Sequence, residues 1–112
     1  MPTIDTSYVR QELRAISDCS NAVKTLLREA LEQLESDPSC FEPLVDVPAR
    51  ITEAYPSVTL RKIKLQSGRH NFRLIAAHWA RGAREDHVDI LYAFRRQDGY
   101  PIDWDWVDEI LS

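Results

Sequence analysis

A chain of 112 residues is long enough to bury one hydrophobic core and is short of the usual size for two domains. Its composition, 44% hydrophobic and 29% charged, is typical of a soluble globular protein and excludes a disordered chain. No apolar run approaches the roughly 20 residues that would span a bilayer, and the N-terminus lacks the basic and apolar regions of a secretory signal. We therefore predict a single domain over residues 1–112, located in the cytoplasm and without a membrane partner.

The net charge of −4 is unevenly distributed along the chain. Residues 58–96 hold nine Lys or Arg against three Asp or Glu, a net charge of +6, whereas the segments before and after them each carry −5. Basic charge concentrated in this way is a footprint for an anionic partner. The basic segment closes on the pair Arg95-Arg96, which follows an apolar run with the character of a buried strand.

Apolar residues at helical spacing predict two helices in the N-terminal third of the chain. The first is short and covers residues 6–17, with Asp5 or Thr6 available as its N-cap. A wider apolar stripe predicts the second helix over residues 20–35. Pro38 prevents the second helix from continuing.

A connector over residues 38–57 follows, in which four prolines alternate with scattered apolar residues. We predict that it is packed against the rest of the chain and contains one turn of helix near residues 50–54. From Pro101 onward, beyond a break at residues 97–99, the apolar residues return to helical spacing. Proline suits a first helical turn, so a short C-terminal helix is predicted to begin there.

Between these segments the apolar period changes to two, which predicts three antiparallel strands. The strands cover residues 58–65, 72–79 and 88–96, and loops at 66–69 and 80–86 join them. The predicted fold class is α+β. Two N-terminal helices pack on one face of a small twisted antiparallel sheet, and a short C-terminal helix follows it.

Alternation along a strand assigns its side chains to the two faces of the sheet. The more apolar sets are predicted to pack on the helices, and they are Phe72, Leu74 and Ala76 on the second strand and Val88, Ile90, Tyr92 and Phe94 on the third. Arg73 and Arg95 then share the opposite, open face. On the first strand, alternation does not decide whether Arg61 or the pair Lys62 and Lys64 joins them, and a bulge or register change is a plausible cause.

These bases predict a phosphate-binding surface on the open face. Guanidinium groups bind phosphate in bidentate fashion and stay charged when partly desolvated. The alternative is that the bases pair with nearby acids and only solvate the sheet. Tyr100, just beyond Arg95-Arg96, is a candidate for proton transfer or base stacking, or it simply packs at the entry of the last helix.

Other kinds of site find little support in the sequence. His70, His78 and His87 are spaced by eight and nine residues, which matches no metal motif. The chain has no glycine-rich phosphate loop and no Ser/His/Asp signature. We therefore expect neither a metal site nor a cofactor.

Four segments together resemble the RelE/ParE toxin superfamily over nearly the whole chain. They are "ALEQLESDP", "LRKIKL", "NFRLIAA" with its preceding Gly-Arg turn, and "HVDILYAFRRQDGY". The resemblance implies a small α+β fold and a toxin, or a protein derived from a toxin, of a toxin–antitoxin system, with a cognate antitoxin as partner. RelE-like members cut messenger RNA on the ribosome through basic residues and a C-terminal tyrosine. ParE-like members share the fold and act on gyrase without nuclease chemistry.

Carried over by position, the resemblance assigns roles to individual residues. Arg73 falls on the strand that supplies a phosphate-binding arginine, Arg95 or Arg96 falls at the end of the last strand, and Tyr100 falls near the catalytic tyrosine. Tyr100, Lys62 or Lys64 would transfer protons, and Arg73 with Arg95 would hold the phosphate. Further candidates for substrate binding are Arg61, Arg96 and Arg69. The alternative function is a non-catalytic protein-interaction module that binds its partner through the sheet face or Trp104.

Overall fold

The computed structural model describes residues 2–81, 86–96 and 100–112. The elements in chain order are β1 (Thr3–Asp5), α1 (Arg10–Ser17), α2 (Asn21–Ser36), a 3-10 turn (Pro38–Cys40), α3 (Ala49–Ala54), β2 (Val58–Ser67), β3 (His70–Trp79), β4 (His87–Arg95) and α4 (Trp104–Leu111). The predicted α+β class is confirmed, and α3 is the predicted helical turn of the connector. The predicted break at 97–99 and residues 82–85 of the predicted second loop lie outside the described residues. Within the described ranges, no helix combines the length and apolar content needed to cross a membrane.

The four strands form one sheet in the order β1-β4-β3-β2. β2, β3 and β4 are antiparallel neighbours, as predicted, but β1 pairs with β4 in parallel, so the sheet is mixed. A two-residue turn closes the β2–β3 hairpin, and Gly68 adopts a φ of +58° there, which costs a glycine little. The parallel pairing begins where the Thr3 N–H donates to the Asp86 carbonyl at 2.9 Å.

Local side-chain bonds decide where the first two helices begin. The Ser20 Oγ accepts the Val23 N–H at 3.1 Å, an N-cap that starts α2 close to its predicted position. The predicted cap of α1 is wrong. The Asp5 carboxylate instead accepts the Ser7 N–H at 2.8 Å and closes a turn, so α1 begins only at Arg10.

The last helix begins later than predicted for a similar reason. The Asp103 carboxylate accepts the Asp105 N–H at 3.1 Å and the Trp106 N–H at 3.4 Å, so it caps a helix that begins at Trp104 and not at Pro101. Residues 101–103 have no regular secondary structure and lead into this cap, where Asp103 is extended.

Both faces of the sheet are covered, which corrects the prediction of one open face. On the first face, α1 and α2 pack on β2, β3 and β4; the most deeply buried side chains are Val23, Leu34, Ile63, Leu74, Ala76, Val88 and Ile90. On the second face, α3, α4 and the connector enclose Ile51, Leu60, Ala77, Leu91, Val107 and Leu111. Burial of each fully buried aliphatic side chain stabilises the fold by about 1.5–3 kcal/mol. The second layer was not predicted because the apolar residues that the connector contributes to it follow no regular period.

A β-bulge in β4 changes which side chains face each layer. Ile75 pairs with Tyr92 while the next residue, Ala76, pairs with Ile90, so Leu91 is the extra residue. Before the bulge, Ile90 faces α1 and α2; after it, Ala93 does.

The bulge makes the predicted face assignments of three residues wrong. Tyr92 and Phe94 are cross-strand partners of Ile75 and Arg73 and therefore lie on the second face. Arg95 pairs with Phe72 and lies on the first face, with its guanidinium carbon 4.8 Å from the centre of the Phe72 ring. The inserted residue reverses alternation for everything that follows it in β4.

The bulge predicts an unusual sensitivity at Ala93, which is 8% exposed beneath the helical pair. We expect Ala93→Glu to lower the free energy of unfolding by about 3 kcal/mol or more, because it buries an unpaired charge. Arg95→Glu, two residues along and exposed, is the matched control and should cost far less. Urea denaturation measures both, and equal tolerance would mean that Ala93 is not in the core and that β4 is not bulged.

Candidate functional site

The β2–β3 register settles which bases share a face. Lys64 pairs with Arg73 and Lys62 pairs with Ile75, without interruption along the whole hairpin. Lys62, Lys64 and Arg73 therefore lie together on the second face, and Arg61 lies on the first. The ambiguity in the sequence arose because both faces of β2 mix bases with apolar residues; β2 itself has no bulge.

Arg61 forms hydrogen bonds within the fold and does not lie with the other bases. Its Nη1 donates to the Phe41 carbonyl at 2.8 Å, and its Nε donates to the His78 Nδ1 at 3.4 Å. His78 is 7% exposed, and burial, followed by the Arg61 charge, lowers the pKa of this imidazole below its ordinary value. A neutral His78 can accept the hydrogen bond, so Arg61 helps to hold the connector to the edge of β2.

The connector also reaches this edge through backbone hydrogen bonds. The Leu44 N–H donates to the Leu60 carbonyl at 2.8 Å, and the Lys62 N–H donates to the Glu42 carbonyl at 2.9 Å. Val45, which follows immediately, is 69% exposed, an unusual value for a large apolar residue.

Aromatic and basic side chains meet at the far end of β4. The rings of Phe94 and Tyr100 are 5.3 Å apart and edge-to-face. The Arg96 guanidinium lies over the Tyr100 ring at 5.3 Å, a cation–π contact. Because Phe94 is the cross-strand partner of Arg73, these four residues form one continuous patch on the second face.

A cavity of about 410 Å³ adjoins this patch, and we call it the basic groove. Its lining consists of Leu44, Val45, Asp46, Lys62, Arg96, Tyr100, Ile102 and Trp104. Two cations and two large aromatic rings therefore face one space beside apolar side chains. Such a lining can bind an anionic group and a flat ring at the same time.

Acidic residues partly balance the charge of the groove. The Glu42 carboxylate lies 3.5 Å from the Lys62 ammonium and 3.2 Å from the Lys64 ammonium. The hydrogen bond from Lys64 and the charges of both lysines lower the pKa of Glu42. Lys62 is the more enclosed of the two, with its side chain 17% exposed. The exposed Glu42 is a competitor that an anionic ligand would displace.

Arg73 is held at the back of the same patch. Its Nη1 donates to the Asn71 Oδ1 and, at 3.1 Å, to the Phe72 carbonyl. Its Nε is buried and has no hydrogen-bond partner among the described residues. An unsatisfied buried donor of this kind is costly to the fold.

The remaining predicted site residues lie elsewhere. Arg95 is on the first face, and Arg69 is exposed in the β2–β3 turn; neither lines the groove. The sequence pattern gave no groove role to Val45 and Asp46 and indicated Trp104 only as a contact for a protein partner. Their connector and helix-entry positions carry no strand alternation that could have indicated the groove.

The chain matches no protein-family model, no curated protein and no solved structure.

Proposed function

We propose that this protein is a RelE-like toxin that binds single-stranded RNA in the basic groove. The observation that supports it best is the convergence of Lys62, Arg96, Tyr100 and Trp104 on one cavity. Lys64 and Arg73 extend the positive charge along the same face. The surrounding chain is acidic, so this local excess of bases is not a general property of its surface.

Each part of the groove matches a part of a ribonucleotide. Arg96 and Lys62 would bind the phosphate backbone, because charge-assisted hydrogen bonds to phosphate are among the strong ones. Tyr100 and Trp104 would stack on bases, a contact worth about 1–3 kcal/mol per base. Sequence-specific RNA recognition favours unpaired bases, since only these can be splayed onto aromatic rings.

The same arrangement supports a cleavage mechanism. A ribose 2′-oxygen attacks the adjacent phosphorus, the bond to the 5′-oxygen breaks, and a 2′,3′-cyclic phosphate and a 5′-hydroxyl result. One group must accept the proton of the 2′-hydroxyl and another must donate a proton to the leaving oxygen, and we assign these roles to Tyr100 and Lys62. Arg73 and Arg96 would stabilise the negative charge that develops on the phosphorane. Arg96 takes the role first assigned to Arg95, which lies on the other face.

A second candidate function is a protein-interaction module. The exposed Val45 lines the groove beside Trp104, and an apolar side chain of a protein partner would cover both. A cognate antitoxin belongs to the first function instead, and would bind at the groove as an inhibitor of the toxin. Added salt separates the two functions, because it weakens phosphate contacts much more than apolar ones.

Neighbouring arginines provide a matched test of RNA binding. We expect Arg96→Ala to weaken binding of a fluorescent single-stranded RNA about tenfold, since it removes a charged contact, and Arg95→Ala to leave affinity nearly unchanged. Fluorescence anisotropy at several salt concentrations should also show a shallower salt dependence for Arg96→Ala, by about 0.7 in the log–log slope for each lost phosphate contact. Equal affinities for the two variants would place the RNA elsewhere.

Glu42 provides a test of opposite sign. Glu42→Gln removes the carboxylate that competes for Lys62 and Lys64, so we expect RNA to bind severalfold more tightly. Glu35→Gln on α2 makes the same change in net charge and should have a much smaller effect. If both substitutions strengthen binding equally, only the total charge matters and the groove is not the site.

Growth of bacterial cells tests the toxin itself, including any activity that requires ribosomes. We expect induced wild-type protein and Arg95→Ala to arrest growth, and the double variant Arg73→Ala/Arg96→Ala to permit it, because that variant lacks both phosphate-binding guanidinium groups. Immunoblots of the soluble fraction control for expression. Normal growth with soluble wild-type protein, or arrest by the double variant, would contradict the proposal and favour the interaction module.

A further inference from the structure

A second group of ionisable side chains lies at the start of β4, far along the strand from the basic groove. His87 and Asp89 are two residues apart in β4, so both side chains point to the second face of the sheet. Asp5 is the parallel cross-strand partner of Asp89 in β1. The pairing of β1 with β4 therefore brings together three residues from opposite ends of the chain.

The three side chains are close enough to share one ion. One carboxylate oxygen each from Asp5 and Asp89, together with a ring nitrogen of His87, all lie within 4.8 Å of one another. The His87 Nε2 lies 2.8 Å from the Asp89 Oδ1. The Ser7 N–H donates to the Asp5 Oδ1 and so orients that carboxylate from outside the cluster, as outer hydrogen bonds do in metal sites.

The charges of the cluster favour a positive partner. Asp89 is only 3% exposed, and a second carboxylate, Asp5, stands beside it in the register. Burying a carboxylate is costly unless it is paired, and two neighbouring carboxylates also repel each other. His87 supplies one positive charge only when it is protonated, whereas a divalent cation would balance both carboxylates and accept the imidazole as a neutral ligand.

We propose that Asp5, His87 and Asp89 form a binding site for a divalent transition-metal ion, with Zn²⁺ as the best-matched species. One imidazole and two carboxylates make a mixed nitrogen and oxygen donor set of the kind that zinc accepts. Calcium and magnesium prefer sites made of oxygen ligands alone. Three protein ligands leave a coordination position for water or for a ligand from outside.

Metal binding at this position would tie the N-terminal strand to the sheet. β1 has only three residues, and two of the three ligands lie on β4 while the third lies on β1. A three-residue strand forms few hydrogen bonds with its neighbour, and the ion would strengthen its attachment to β4. Since only the folded chain places the three ligands together, binding would raise the stability of the fold.

Zinc titration of the full-length chain, purified without a histidine tag and stripped with EDTA, tests the proposal. The exposed thiols of Cys19 and Cys40 can bind zinc themselves, so the titration uses a Cys19→Ser/Cys40→Ser background. Isothermal titration calorimetry should show one saturable zinc ion per chain. Asp89→Asn and His87→Ala should each weaken binding at least tenfold, whereas His70→Ala, which changes a histidine outside the cluster, should not.

The thermal unfolding midpoint of the Cys19→Ser/Cys40→Ser protein provides a second readout. It does not depend on whether the site variants fold. We expect added Zn²⁺ to raise it by several degrees relative to EDTA, and Mg²⁺ to have little effect. The absence of saturable binding, or binding that survives both site substitutions, would overturn the proposal and leave the cluster as a His–Asp ion pair. This test does not depend on RNA binding, so its result holds whether or not the basic groove binds RNA.

Discussion

The β-bulge at Leu91 is the constraint on which the two faces of this sheet depend. One inserted residue lets Val88 and Ile90 pack under the N-terminal helices and then directs Tyr92 and Phe94 to the other side. Without that reversal, Phe94 could not stand beside Tyr100, and Arg73 would have a different cross-strand neighbour. The aromatic and basic patch at the end of β4 is thus a consequence of a single irregularity in the middle of the strand.

The positions of the helices and strands were largely predictable from the sequence, whereas the faces of the strands were predictable only in part. The apolar stripe of α2 has a strong helical period, and turn residues bound the β-branched and apolar runs of β2 to β4, so these elements lie close to their predicted positions. The bulge left no signal, because Ile90 and Leu91 are both apolar and either could face a core. Arg95 was therefore assigned to the wrong side, while Arg73, upstream of any irregularity, was assigned correctly.

The second layer shows a different limit of sequence reasoning. The connector has neither helical nor strand period over most of its length, yet it covers the second face together with α3 and α4. Its contribution to the candidate site is Val45 and Asp46. Their positions depend on the packing of a backbone without regular secondary structure, which no sequence period indicates. The cluster of Asp5, His87 and Asp89 is similar, because it exists only through the parallel pairing of β1 with β4, a long-range contact that no local pattern encodes.

The hydrogen bonds between the connector and β2 also bear on self-association. β2 is an edge strand, and an uncovered edge is a template on which other chains can add strands. The backbone of residues 42–44 forms hydrogen bonds with Leu60 and Lys62 and so covers this part of the edge. Beyond it, the exposed Lys64 places a charge on the edge strand. A protease that cut the connector would therefore uncover an unpaired edge, and clipped protein would be prone to aggregate through intermolecular strand pairing.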